Sequence, residues 1–94
     1  RQIEESEMNI IPVNKVGSFR TGTLEDINVA TINEILGFEP NVADDPHKVV
    51  HSWGFEVDGV HCAIWDYKGS HFFGSFSVYG PAEIFQKLFP AHYV

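Results

Sequence analysis

The residues of this chain best equipped for chemistry are five histidines, one cysteine, a pair of adjacent aspartates and a few well-placed cations. Of His47, His51, His61, His71 and His92 only the first two stand four apart, and His47 falls in the loop that leads into the hairpin rather than on a helix; Cys62 has no second thiol beside it. No metal site and no cofactor are expected on those grounds. His51 and Asp66 fall opposite one another in the hairpin register given below, which makes a His–Asp pair. No serine or cysteine nucleophile with a supporting motif completes it, so hydrolysis is not expected. Asp44 and Asp45 stand beside Pro46 and read as turn and solvation chemistry rather than as half of a carboxylate site. Anion binding is better supported. Backbone N–H groups at a helix start attract phosphate without net positive charge, and Thr21-Gly22-Thr23 and Gly80-Pro81-Ala82 both read as helix starts. Arg20 and Lys68 stand next to them or at the same sheet end, and cations are scarce: six Lys and Arg against thirteen Asp and Glu. With Trp65, Tyr67 and Tyr79 to stack on and the Ser77 hydroxyl to bond an edge, these groups together describe a nucleotide site.

These residues need elements to hold them. "HSWGFEVDGVHCAIWDYKG", residues 51 to 69, alternates on both sides of Asp58-Gly59, the strongest short-range hairpin signal. With those two residues as the turn, Val57 faces Val60, Phe55 faces Cys62 and Trp53 faces Ile64 on one side. Ser52, Gly54 and Glu56 face Trp65, Ala63 and His61 on the other. The first set is expected to be core. The second makes a floor of small residues with Trp65 and Tyr67 standing beside it. "IIPVNKVGSFRTG" reads as a first strand with Pro12 at its start. "TLEDINVATINEILGFEP" reads as a helix from an N-cap at Thr23, with Asp26 in a capping-box position, to Gly37, and its stripe is Leu24, Ile27, Ala30, Thr31, Ile32 and Ile35. "HFFGSFSVYG" reads as a third meander strand with Phe72, Phe76 and Val78 toward the core and Phe73, Ser75, Ser77 and Tyr79 on the open side. "PAEIFQKLFP" reads as a last helix with Ile84, Phe85, Leu88 and Phe89 on one side. The expected architecture is two-layer α+β in the order β-α-β-β-β-α, with about four antiparallel strands and two helices on one face. An aromatic patch on the open face marks a ligand surface or a subunit interface.

At 94 residues and 44% hydrophobic, the chain is expected to form one domain over residues 8–94, with residues 1–7, ahead of Met8, read as a leader or an added tail. Those seven carry a net −2 of the chain's −7, which leaves −5. An acidic domain is a poor ligand for DNA or RNA polymers, whose affinity comes from clustered Lys and Arg. No run approaches a membrane span, and the single cysteine fits a reducing compartment.

The stretches "VGSFRTGTLEDINVATINEILGFEPN", "WGFEVDGVHCAIWDYKG" and "FSVYGPAEIFQKLF" together resemble a group of small phage proteins identified with the anti-CBASS sponge family. The shared pattern is a strand ending S-F-x-G/T, a helix ending F-G/E-P, a W-x-F-x-D-G-x-x-x-x-I-x-D/N-Y/W-K hairpin and an aromatic strand ending at Gly before a last helix. It covers nearly everything from Met8 onward. What the resemblance implies is a non-enzymatic homotetramer that sequesters a cyclic dinucleotide immune signal of the 3′,3′-cyclic GMP-AMP type in the cytoplasm of an infected bacterium. By motif match the positions carried over are Ser18, Phe19, Arg20, Thr21 and Gly22, then Trp65 to Lys68, then Val78 to Gly80. This chain departs from the pattern by one extra residue between the S-F pair and the helix. The ligand-binding residues expected are Phe19, Arg20, Thr21, Gly22, Trp65, Tyr67, Lys68, Ser77, Tyr79 and Gly80, with no catalytic residue.

Two readings of other classes compete. One is a protein-binding inhibitor of a host defence or host enzyme that docks through its aromatic face and mimics DNA with its acids. The acids are spread over several elements rather than set in runs, which disfavours mimicry. The other is a phosphodiesterase that degrades the same signal.

Overall fold

The computed structural model describes residues 9–15, 17, 19–42 and 49–94. The elements are β1 (Ile10–Pro12), β2 (Gly22–Leu24), α1 (Val29–Leu36), β3 (Val49–Val57), β4 (Val60–Tyr67), β5 (Phe76–Tyr79) and α2 (Ala82–Leu88). A short 3₁₀ turn, Ser70–Phe73, precedes β5. The strands form one antiparallel sheet in the order β1-β3-β4-β5-β2, so the fold is α+β as the patterning predicts.

The central hairpin has the expected register from Ser52–Trp65 to the turn, and a bulge between Val49 and Ser52 shifts it by one beyond, so that Val49 pairs with Tyr67. Asp58 and Gly59 both take positive φ, 53° and 84°, as the I′ hairpin turn requires and Asp-Gly supplies. Val57 then faces Val60, Phe55 faces Cys62, Trp53 faces Ile64 and Ser52 faces Trp65. Both helices cover the side carrying Trp53, Phe55 and Ile64. Trp53 Nε1 donates to Asn33 Oδ1 of α1 at 2.9 Å, and Phe55 meets Phe85 of α2 edge-on at 6.3 Å. Leu24, Ile27, Ile32, Leu36, Phe76, Val78 and Phe89 complete this buried cluster. Val60, expected in the core, lies beside the turn and is exposed.

Four expectations about local structure are corrected. The single first strand is two short ones at opposite sheet edges, which raises the strand number to five. The helix does not start at Thr23, because Gly22–Leu24 pairs with β5 and Asp26 has φ 57°. Its N-cap is Asn28, whose Oδ1 accepts from the Thr31 N–H at 2.8 Å, a stronger cap than Thr and placed beyond the break. Ala30 is consequently exposed, while Ile32 and Leu36 are buried. Residues 70 to 73 are not strand: Gly69 and Gly74, with φ 79° and 72°, bracket a 3₁₀ turn. Phe72 and Phe73 therefore stand 81% and 84% exposed, neither in the core nor on the sheet. Asp44, Asp45 and His47 lie outside the described residues, as does Ser18.

The floor of small residues is filled by the chain itself. Beyond β1, Val13, Lys15 and Gly17 lie as a strap over the face opposite the helices, and the chain rejoins the sheet at the far edge as β2. Asn41 fastens the start of this strap. Its Nδ2 donates to the carbonyls of Val13 and Gly54, both at 3.1 Å, and its Oδ1 accepts from the Gly54 N–H at 2.9 Å. The Val13 N–H also donates to Gly54 O at 2.9 Å. Farther along, a Cβ at Gly17 would lie 2.8 Å from Trp65 Cζ3 and from Tyr79 Cβ. The strap touches the sheet backbone to side-chain floor, and only glycine fits there. Among the described residues no helix is long and apolar enough to cross a membrane.

Gly54→Ala tests the strap, because its methyl would collide with the Val13 and Lys15 carbonyls and with Val42 Cγ2 at 2.8 Å. The substitution should lower unfolding stability by about 1–3 kcal/mol, read as a lower urea midpoint. An unchanged midpoint would mean that the strap does not lie on Gly54.

Candidate functional site

Where the strap reaches the far edge it walls a cleft of about 370 Å³ lined by Phe19, Thr21, Val60, His61, Tyr79, Gly80 and Pro81. That volume is at the lower end of the range for ligand pockets. Each wall has a local cause. Thr21 closes one side: its N–H donates to Val78 O at 2.8 Å, and its hydroxyl donates to Gly80 O at 3.0 Å and accepts from the Gly80 N–H at 3.1 Å. Strap and β5 are thereby joined just where β5 ends. Tyr79 forms the floor. Phe19 meets it edge-on at 5.3 Å from one side, and His61 tilts against it at 5.3 Å from the other. Phe19 is 63% exposed, so an aromatic edge is presented to solvent over an aromatic floor. The His61 Nε2 lies 3.3 Å from Lys15 O, which ties the ring to the strap.

Four of the ten residues singled out from the sequence, Phe19, Thr21, Tyr79 and Gly80, meet in this cleft. Arg20 is exposed and adjoins Phe19 and Thr21 in sequence, but it does not line the cleft. Trp65 and Ser77 face one another on the same side of the sheet, as the alternation predicts. They are not open: Trp65 is half-buried beneath Gly17, and Ser77 is buried. Gly22 points elsewhere, since a Cβ on it would meet the Tyr93 hydroxyl at 2.7 Å on the helix side. Tyr67 and Lys68 are also apart. Tyr79 pairs with Ala63, and Tyr67 is four residues farther along β4, about 13 Å at ~3.3 Å per residue. There Lys68 Nζ sits 5.4 Å from the Tyr67 ring centroid. Thr21-Gly22-Thr23 is strand rather than helix start, which removes one of the two expected anion cradles. Gly80-Pro81-Ala82 does open a helix, of seven residues. Val60, His61 and Pro81 are the lining residues that site selection missed, and His61 is the one with a polar ring. Its signal was in the hairpin register, which places it on the same face as Tyr79 and diagonal to it.

At the other end of β4 the expected His51–Asp66 pair is present, with His51 Nδ1 2.7 Å from Asp66 Oδ2. It lies on the helix-covered side, remote from the cleft, and Asp66 is fully buried. No family model matches the sequence, and neither the curated proteins nor the solved structures yield a similar one.

Cys62 lies in the core beneath Gly80, where a Cβ would come 3.0 Å from its sulfur. Burial pushes its thiol up to about 11, the opposite of what a nucleophile needs. The folded protein at pH 8 should therefore be inert to a disulfide reagent such as Ellman's, while one thiol per chain reacts in denaturant. Fast stoichiometric reaction of the native protein would contradict this placement.

Proposed function

We propose that this protein is a non-enzymatic binder that sequesters a cyclic dinucleotide of the 3′,3′-cyclic GMP-AMP type, as its resemblance to the phage sponge group implies. The observation that carries the reading is the Phe19–Tyr79–His61 cleft, an aromatic slot, with the cation Arg20 next in sequence to its lining residues Phe19 and Thr21. A base stacks on such rings whatever its identity, and a guanidinium one residue from Phe19 is suited to a phosphate. The Thr21 hydroxyl is occupied by Gly80, so Thr21 shapes the slot rather than offering a free donor. One cleft of this size suits one half of a cyclic dinucleotide. A second copy of the chain supplies the rest, which accords with the homotetramer the resemblance implies. The proposed setting is the cytoplasm of an infected bacterium.

A second reading is favoured by one feature. Phe72 and Phe73 are consecutive in the 3₁₀ turn and almost wholly exposed, and exposed aromatics suit a protein partner. On that reading the chain inhibits a host protein.

Isothermal titration with a panel of cyclic nucleotides distinguishes the two. Under our proposal the parent protein binds one of them, and the ligand is recovered intact after the protein is heat-denatured. Phe19→Ala should weaken binding by about 1–3 kcal/mol, the worth of a base stack, and Arg20→Ala by about 1.5–3 kcal/mol if it bonds a charged phosphate. Neither should change the sedimentation coefficient. Cleavage of the ligand would make the protein a phosphodiesterase, and a parent that binds no cyclic nucleotide would give first place to the protein inhibitor.

A further inference from the structure

The 3₁₀ turn that carries Phe72 and Phe73 also brings a third group to the His51–Asp66 pair. His71 Nδ1 lies 2.6 Å from Asp66 Oδ2, the same oxygen that His51 Nδ1 approaches to 2.7 Å. The potential ligand atoms of the three residues all lie within 4.8 Å of one another. Asp66 is fully buried, and the His51 and His71 side chains are 28% and 16% exposed. The assembly is held from outside. The His51 backbone N–H donates to Asp66 Oδ1 at 2.8 Å, the His51 ring stacks on Trp53 at 6.3 Å, and the two imidazoles meet edge-on at 4.8 Å.

The decisive detail is how His71 meets the carboxylate. His51 is placed for a hydrogen bond to Oδ2. His71 Nδ1 is equally close and buried, yet its geometry to Oδ2 makes no hydrogen bond and it finds no other partner. A ring nitrogen held this close to a carboxylate oxygen needs a positive charge to make the approach favourable, either its own proton or a metal ion shared with that oxygen. Two imidazoles and a carboxylate are also the donor set of three-ligand zinc sites, which keep their fourth position for water.

We propose that His51, Asp66 and His71 bind one divalent transition-metal ion, of which Zn²⁺ best suits the ligands. Ligand atoms around a tetrahedral zinc with bonds of about 2.0–2.1 Å stand about 3.3 Å apart. The two close approaches must therefore open by less than about 1 Å, a small side-chain rotation. The ion joins three parts of the chain: β3, β4 and the 3₁₀ turn. Buried on the helix side and far from the cleft, it serves as a clasp that fixes the turn and, through it, the exposed Phe72 and Phe73. A ligand bound by the folded state alone raises stability in proportion to the logarithm of its concentration.

The test is calorimetric titration of chelator-treated full-length protein with Zn²⁺, with Co²⁺ as a spectroscopic probe. The expected result is one equivalent bound per chain, a rise in melting temperature with Zn²⁺ concentration, and visible d–d bands with Co²⁺ characteristic of four-coordination. Asp66→Asn and His71→Ala should each weaken binding at least tenfold, whereas His92→Ala should not. Should those variants fail to fold, histidine NMR of the parent decides: Zn²⁺ must shift the ring signals of His51 and His71 and leave His61 and His92 in place. A parent that takes up no equivalent, or one whose binding survives His71→Ala, overturns the assignment and leaves the trio a proton-sharing cluster.

Discussion

Gly54 and Asn41 make the contact on which the rest of the molecule depends. A sheet with helices on one side leaves its other face to water, and here that face carries Gly54, Ala63 and Ser52 in its middle, which bury little apolar area of their own. Asn41 turns the weakness to use. Its amide bonds both the N–H and the C=O of Gly54 and also holds Val13, so three chain segments are fixed by one side chain. Each bond is worth about 0.5–1.5 kcal/mol, and none is reachable if position 54 carries a Cβ. The strap follows from this anchor, and the cleft follows from the strap, because Phe19 and Thr21 are placed only where the strap comes down on β5.

β4 spans both ends of the molecule and separates two kinds of site. Near its start it lends Val60 and His61 to an open slot in which aromatic rings face solvent. Near its end it lends Asp66 to a closed cluster in which titratable groups face each other under the helices. An exposed surface feature, the Phe72–Phe73 turn, is tied to the second by His71. The chemistry of the two ends differs accordingly: the slot suits a planar ligand taken from solution, and the cluster suits an ion that stays.

Much of this was legible from the sequence wherever a local signal met no competitor. Asp58-Gly59 with alternation on both sides specifies a register, and that register placed the hairpin pairs from Ser52–Trp65 to the turn and the His51–Asp66 contact, but not the bulge beyond them. Gly37 stopped the first helix as expected, with φ 92°. The start of that helix was misread because Thr23 and Asn28 both cap well, and only pairing with β5, a long-range event, removes the first. His71 was unreadable for a related reason. In a strand it would have continued the meander; two glycines turn it inward instead. The strap left a trace in the small residues of the second face, yet nothing local says that Val13, Lys15 and Gly17 cover it rather than a second subunit. Trp65 shows the consequence, since its face was anticipated and its half-burial was not.

The proposed function rests on the cleft, and amide NMR during titration with 3′,3′-cyclic GMP-AMP tests it most directly. Signals of Phe19, Thr21, His61, Tyr79 and Gly80 should shift in a saturable way while those of Lys68, Phe72 and Phe73 stay in place. A spectrum that does not change, or changes confined to the 70–73 turn, would contradict a nucleotide site in this cleft.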